Sequence, residues 1–202
     1  MKQLLLTNGR QVAVHFYGKP LSSEALPLVL LHGFCEDSTL WEPLIPYLTE
    51  MSILAIDLPG FGQSDLPVAG NMELFADSVK EVVDILELQH FVLVGHSLGG
   101  YVALEFAASW GDRLAGLGLF HSHPYADNEE RKTARRRGIE LLQSGKRNLY
   151  VSQLFPNLFS ADFMLAHPEV LEALISNGQR QSAEGIIMAL EAILLPPTSP
   201  AA

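Results

Sequence analysis

A single cysteine, Cys35, stands among 202 residues, so no internal disulfide can form and no cysteine cluster is available for a metal. Positive charge is also scarce. Thirteen Lys and Arg against 23 Asp and Glu give a formal net charge of −10, which leaves nothing to draw the whole chain to nucleic acid or an anionic membrane. Long apolar runs are missing as well: Met1 to Arg10 is too short in apolar residues for a signal peptide, and no stretch is long enough for a membrane span. These absences predict a cytoplasmic protein with small neutral partners, no nucleic acid, no membrane and no cofactor. Charged residues make up only 18% and hydrophobic ones 48%, a balance that implies one compact core with a buried sheet. No internal repeat points to a solenoid.

The pattern along the first 120 residues alternates strand and helix. Gln3 to Leu6 and Gln11 to Tyr17 flank Asn8-Gly9, a strong hairpin signal. Leu26 to Leu31 and Met51 to Ile56 are apolar on both faces, as strands of a covered parallel sheet are. Between them, Ser38 to Leu48 predicts a short or irregular helix, with Thr39 and Glu42 at capping-box spacing and Pro43 and Pro46 inside it. Phe75, Val79, Val82, Val83 and Leu86 recur at helical spacing between Asn71 and Leu88. Phe91 to Val94 is the next strand, Leu98 to Trp110 an apolar helix, and Leu114 to Phe120 one more strand. The economical architecture is α/β, a doubly wound, mostly parallel sheet. His32, Asp57, Ser97 and His121 all fall at carboxyl ends of strands, where such sheets bind ligands.

After Pro124 only helical periodicity follows, over Asp127 to Ser144, Asn148 to Leu154, Pro168 to Ser176 and Ser182 to Leu195. The predicted organisation is a core over 1–123, a helical cap over 124–195 and a disordered Pro/Ala-rich tail over 196–202. Arg131-Lys132-Thr133-Ala134-Arg135-Arg136-Arg137 lies beside Glu129, Glu130 and Glu140, the pattern of a solvated helix face.

Gly95-His96-Ser97-Leu98-Gly99 follows a β-branched run and opens a helix. This G-x-S-x-G pattern describes a tight strand-to-helix turn that lifts a serine hydroxyl above the sheet and leaves the Leu98 N–H, at the helix start, facing a developing negative charge. Ser97 is the candidate nucleophile.

His32-Gly33-Phe34, Asp57-Leu58-Pro59-Gly60-Phe61-Gly62-Gln63-Ser64 and Gly95-His96-Ser97-Leu98-Gly99-Gly100, in this order and spacing, resemble the α/β-hydrolase superfamily, in particular its small carboxylesterase-like and lipase-like members. The resemblance covers roughly the first three-fifths of the chain. It implies that Ser97 attacks an ester-like carbonyl to form an acyl-enzyme, with the N–H groups of Phe34 and Leu98 as the oxyanion hole. It further implies a cap enclosing an apolar acyl site, for which Phe34, Trp41, Leu98, Phe155 and Phe159 are the candidates. His32 would shape the oxyanion loop and His96 would pack beside the elbow, while Asp57 would fix its own Pro-Gly loop.

The resemblance also implies an acid and a histidine after the helical cap, on loops following two further strands. The sequence ends within Pro196 to Ala202, where two strands, two helices and their connections would need about 50 to 60 residues more. Truncation, a frame shift and natural shortening are the open explanations. His121 or His123 could serve as a substitute base, oriented by Asp127 if the loop permits; a polar loop feeding the helices explains all three without catalysis. His167 precedes Pro168 and reads as a helix start. Without the last strands Leu114 to Phe120 becomes a sheet edge, which predicts self-association. Two functions compete: a serine hydrolase acting on small carboxylic esters, and a catalytically inactive fragment or binding protein on the same fold. Cys35 as a thiol nucleophile is a third, with no base nearby in sequence.

Overall fold

The computed structural model describes residues 1–21 and 26–195. The predicted tail, 196–202, lies outside the described residues. The opening hairpin forms as its turn chemistry requires: β1 (Lys2–Leu5) pairs antiparallel with β2 (Gln11–Gly18) around Gly9 at φ +81°. β2 pairs antiparallel with β4 (Ser52–Ile56), which runs parallel to β3 (Leu28–Leu31). β3 is parallel to β5 (Phe91–His96), and β5 to β6 (Leu114–Phe120). The order β1-β2-β4-β3-β5-β6 makes a six-stranded sheet in which the turns carrying the candidate residues follow the carboxyl ends of β3, β4, β5 and β6.

Alternation along the strands divides the core between two faces. Val29, Leu31, Leu54, Ile56 and Leu93 meet Phe75, Val79, Val82 and Val83 of α1 (Met72–Ile85) and Val102 and Phe106 of α2 (Leu98–Trp110). Each such side chain fully buried contributes about 1.5–3 kcal/mol relative to exposure. Leu28, Leu30, Ile53 and Ala55 face the other way and meet Leu40, Trp41, Ile45 and Leu48.

That second cover is the short, irregular helix expected over Ser38 to Leu48, broken into two 3-10 turns, Ser38–Trp41 and Ile45–Tyr47. Pro43 and Pro46 lack the N–H that an α-helix needs, and the first turn is capped by Asp37, which accepts from the Thr39 N–H at 3.0 Å, instead of by Thr39.

After β6 the described chain is helical: α3 (Glu129–Gln143), α4 (Arg147–Leu154), α5 (Ala161–Ala166), α6 (Pro168–Arg180) and α7 (Ala183–Leu194). Asn128, Ser160 and Ser182 supply the side-chain caps of α3, α5 and α7. The short α5 had no predicted counterpart, and α6 runs past its expected end at Ser176 to Arg180. His167 stands at the start of α6 before Pro168, as expected. Leu142, Val151, Phe155, Ile186, Met188 and Leu190 join these helices to the main core.

β6 is the outer strand and none of its residues is fully buried. No helix among the described residues is long and apolar enough to cross a membrane.

Candidate active site

β5 ends in His96 and α2 begins at Leu98, so a single residue, Ser97, makes the whole turn. It does so at φ +47°, ψ −109°, a conformation that an L side chain adopts at a cost of about 1–3 kcal/mol. The end of β6 holds it there. Ser97 N–H donates to the Phe120 carbonyl at 3.0 Å, and the Ser122 hydroxyl donates to the Ser97 carbonyl at 2.9 Å. A serine preceding a helix ordinarily turns its hydroxyl onto the first amides. Ser97 makes no such capping bond, and its side chain stays free of the helix it introduces.

The loop after β3 approaches the same turn. Gly99 N–H donates to the His32 carbonyl at 3.1 Å, which places the start of α2 against the His32-Gly33-Phe34 segment. His32 is fully buried, and its Nε2 accepts from the Leu58 N–H at 2.9 Å. The proton must therefore sit on Nδ1, which donates to the Gly33 carbonyl at 2.8 Å. Asp57 is buried and spans two loops, its carboxylate accepting from the N–H groups of Ser38 at 2.9 Å and Gln63 at 3.0 Å. The Ser64 hydroxyl closes that loop on the Asp57 carbonyl at 2.6 Å. Asp57 is thus committed to loop structure.

His96 lies beside the turn with Nδ1 3.0 Å from Glu36 Oε2, its ring 5.8 Å from Phe120, 6.2 Å from His121 and 6.5 Å from Trp41. His121, exposed and at φ +48°, directly follows Phe120, the register partner of His96. Of the two nominated bases, His121 is therefore next to the elbow. His123 is drawn toward the helices: Arg131 contacts its Nε2 at 3.0 Å, and its ring packs edge-on against Tyr101. Asp127 does not orient either histidine, because its carboxylate is paired with Arg135 on α3.

The apolar candidates separate in the same way. Leu98 and Trp41 are buried at the turn and beside His96, and Phe34 is half-buried with its ring 6.4 Å from Tyr150. Burial pushes the Tyr150 hydroxyl far up from its ordinary range. Phe155 is buried in the helical layer, in one apolar cluster with Val151 and Leu142. Phe159 stacks on Phe163 of α5 at 5.0 Å, and Phe163 lies tilted against His167 at 4.9 Å, which puts Phe159 in an aromatic row on the helices.

The carboxylate of Asp37 joins the helices to the site loops. It accepts from Asn177 at 3.1 Å and from Gln181 at 3.2 Å, while the side-chain oxygen Oε1 of Gln181 accepts the Gly62 N–H at 2.8 Å. Burial alone would raise the Asp37 carboxyl, but hydrogen bonds from Thr39 and Asn177 outweigh it and leave it below its ordinary value. Cys35 is fully buried, and desolvation, reinforced by Glu36, pushes its thiol well up, the opposite of what a thiolate nucleophile needs. Glu36 and Gln181 carried no recognisable sequence signal; both act on residues remote in the chain.

Comparison with known proteins gives one consistent result. A family model described as the alpha/beta hydrolase fold matches residues 27–168. A thermophilic esterase from Thermogutta terrifontis is 31% identical with a TM-score of 0.88, the match covering 98% of this chain and 74% of that one. The enol-lactonase from Burkholderia xenovorans LB400 has a TM-score of 0.87 at 22% identity, covering 97% and 74%. Among curated proteins, an abhydrolase domain-containing protein, abhd-5.2, of Caenorhabditis elegans is 35% identical over 117 residues, 55% of this chain and 26% of that protein. The 2-succinyl-6-hydroxy-2,4-cyclohexadiene-1-carboxylate synthase of Salmonella heidelberg (strain SL476) is 39% identical over 128 residues, 61% of this chain and 48% of that protein. The chain thus spans half or less of the length of these two curated relatives.

Proposed function

The chain belongs to the α/β-hydrolase fold family, and from that premise we propose that it is a serine hydrolase in which Ser97 attacks small carboxylic esters and passes the acyl group to water. The observation that carries this reading is the Ser97 turn itself. A non-glycine residue is held at φ +47° with its hydroxyl uncommitted to the helix that follows. The N–H groups of Phe34 and Leu98 serve as the oxyanion donors, and His121, beside the elbow, is the better placed of the two substitute bases. Residues 124–195 act as the cap, with Phe34, Trp41 and Leu98 as the acyl-contacting set. The likeness to the Thermogutta esterase supports an ester substrate.

Labelling with a fluorophosphonate, with p-nitrophenyl acetate turnover beside it, tests this. Both are expected to fall by at least about 10³-fold in Ser97→Ala. Equal labelling of the two proteins would refute the nucleophile. A non-catalytic binding protein on the same fold is the second reading, favoured by the engagement of Asp127 with Arg135 and of His123 with Arg131. It predicts no Ser97-dependent labelling at all.

The open edge of β6 is proposed as a self-association surface. Leu117, Leu119 and Phe120 are exposed on a strand that among the described residues pairs with β5 alone, and an unpaired apolar edge seeks another strand. Light scattering on a sizing column is expected to show a dimer or larger species at high concentration. A strict monomer across the concentration range would refute it.

A further inference from the structure

Glu36 belongs to no part of the proposed chemistry, yet its carboxylate is buried at the centre of it, with a side chain 8% exposed. One oxygen, Oε2, accepts the Gly33 N–H at 2.9 Å and lies 3.0 Å from His96 Nδ1. With Oε2 as the acceptor, His96 Nδ1 is the donor of this pair. Gly33 directly precedes Phe34, and His96 directly precedes Ser97. A single atom therefore joins the loop that carries one oxyanion donor to the strand that carries the nucleophile.

The local stereochemistry turns this joint into control of direction. Gly33 is held at both ends, its N–H by Glu36 and its carbonyl by His32 Nδ1 at 2.8 Å. The Gly33–Phe34 peptide is trans, so the Phe34 N–H points opposite to that carbonyl. Fixing Gly33 at both ends fixes where the Phe34 N–H aims. The convergence also needs the glycine: a Cβ there would fall 2.4 Å from Glu36 Oε2 and 2.5 Å from His96 Nδ1.

We propose that Glu36 is a positioning residue, which sets the aim of the Phe34 N–H relative to Ser97 by binding Gly33 N–H and His96 Nδ1 through one carboxylate oxygen. It touches no substrate atom and acts through the backbone. Its effect on rate rests on the Ser97 hydrolase reading; its effect on the loop does not.

The test compares the full chain with Glu36→Ala, Glu36→Gln and Glu36→Asp, using amide NMR with hydrogen exchange and the fluorophosphonate labelling rate. In Glu36→Ala the Gly33 amide is expected to exchange at least about tenfold faster and the Phe34 amide resonance to move, while Leu93 and Val94 of β5 keep their protection. Ser97 labelling is expected to slow about 10- to 100-fold, the penalty of a misaimed group. Glu36→Gln, with its amide oxygen in the place of Oε2, still accepts from both the Gly33 N–H and His96 Nδ1–H, so it should label within about fivefold of the parent. Glu36→Asp, one methylene shorter, should resemble alanine and gives the same reading should the alanine variant fail to fold. An unmoved Phe34 amide, or loss of protection spread equally through β5, overturns the proposal. A parent chain that does not label overturns the hydrolase reading instead, and the amides still decide the role of Glu36.

Discussion

Gly95→Ala is expected to lower stability by about 3 kcal/mol or more and to silence Ser97 in the same step. The added methyl would lie 2.1 Å from the Gly99 carbonyl oxygen, 2.2 Å from its carbon and 2.5 Å from the Gly100 nitrogen. All three are backbone atoms of the first turn of α2, so no side chain can swing aside. α2 itself cannot retreat, because Leu98, Val102, Ala103 and Phe106 are fixed in the main core. The residue that must absorb the displacement is Ser97, already in a costly conformation. Overpacking against flexible side chains costs about 1–3 kcal/mol, and a backbone obstacle belongs at or beyond the upper end. Gly111→Ala is the control, since that glycine has φ −60° and nothing within 4 Å of the added methyl. It should be neutral or stabilising by up to about 1 kcal/mol. Urea midpoints with unchanged slopes measure both, and a Gly95→Ala midpoint equal to that of Gly111→Ala would show that the turn is not built as described.

The turn was readable in sequence because its causes are local. A β-branched run, two glycines and a serine before an apolar helix specify one geometry wherever they occur, and β3 and β4 follow from runs apolar on both faces. Pro43 and Pro46 announced a short or irregular helix over Ser38 to Leu48, and two 3-10 turns form there, but the cap came from Asp37 and not from the Thr39–Glu42 pair at capping-box spacing. α5 escaped because six residues carry too little periodicity to register. What the sequence could not show is pairing across distance. Glu36 and His96 are 60 residues apart, and Gln181 reaches Gly62 across 119. His123 looked available until Arg131, eight residues on, came to face it across the start of α3. Phe159 was a candidate for the acyl site only through the cap that the resemblance implies; its stack with Phe163 depends on the turn into α5 that sequence did not reveal.

Arg135→Met is expected to destabilise by about 3–5 kcal/mol, more than Asp127→Ala does. The asymmetry follows from burial. The Asp127 side chain is 2% exposed and the Arg135 side chain 23%, and they meet through Nε and Oδ2, with a second bond from the guanidinium to Oδ1 at 3.3 Å. Removing the arginine strands a carboxylate with almost no access to water. Removing the aspartate leaves a guanidinium that can extend its stem and regain solvent, at a cost of about 1–2 kcal/mol. Replacing both, as Asp127→Leu with Arg135→Met, should come close to the parent, because an apolar pair of similar volume has no charge to desolvate. Thermal unfolding of the parent, Asp127→Leu, Arg135→Met and the double variant gives the cycle, with Asp127→Ala measured beside it. The same cycle settles what Asp127 does for the site. An ion pair that only anchors the start of α3 makes Ser97 labelling follow the loss of Arg135 and of Asp127 alike, and the double variant recovers. If Asp127 instead orients a base, labelling fails in Asp127→Ala and in the double variant while stability in the latter returns. The pairing observed with Arg135 predicts the first pattern, and with it the assignment of Asp127 to the scaffold at the start of α3.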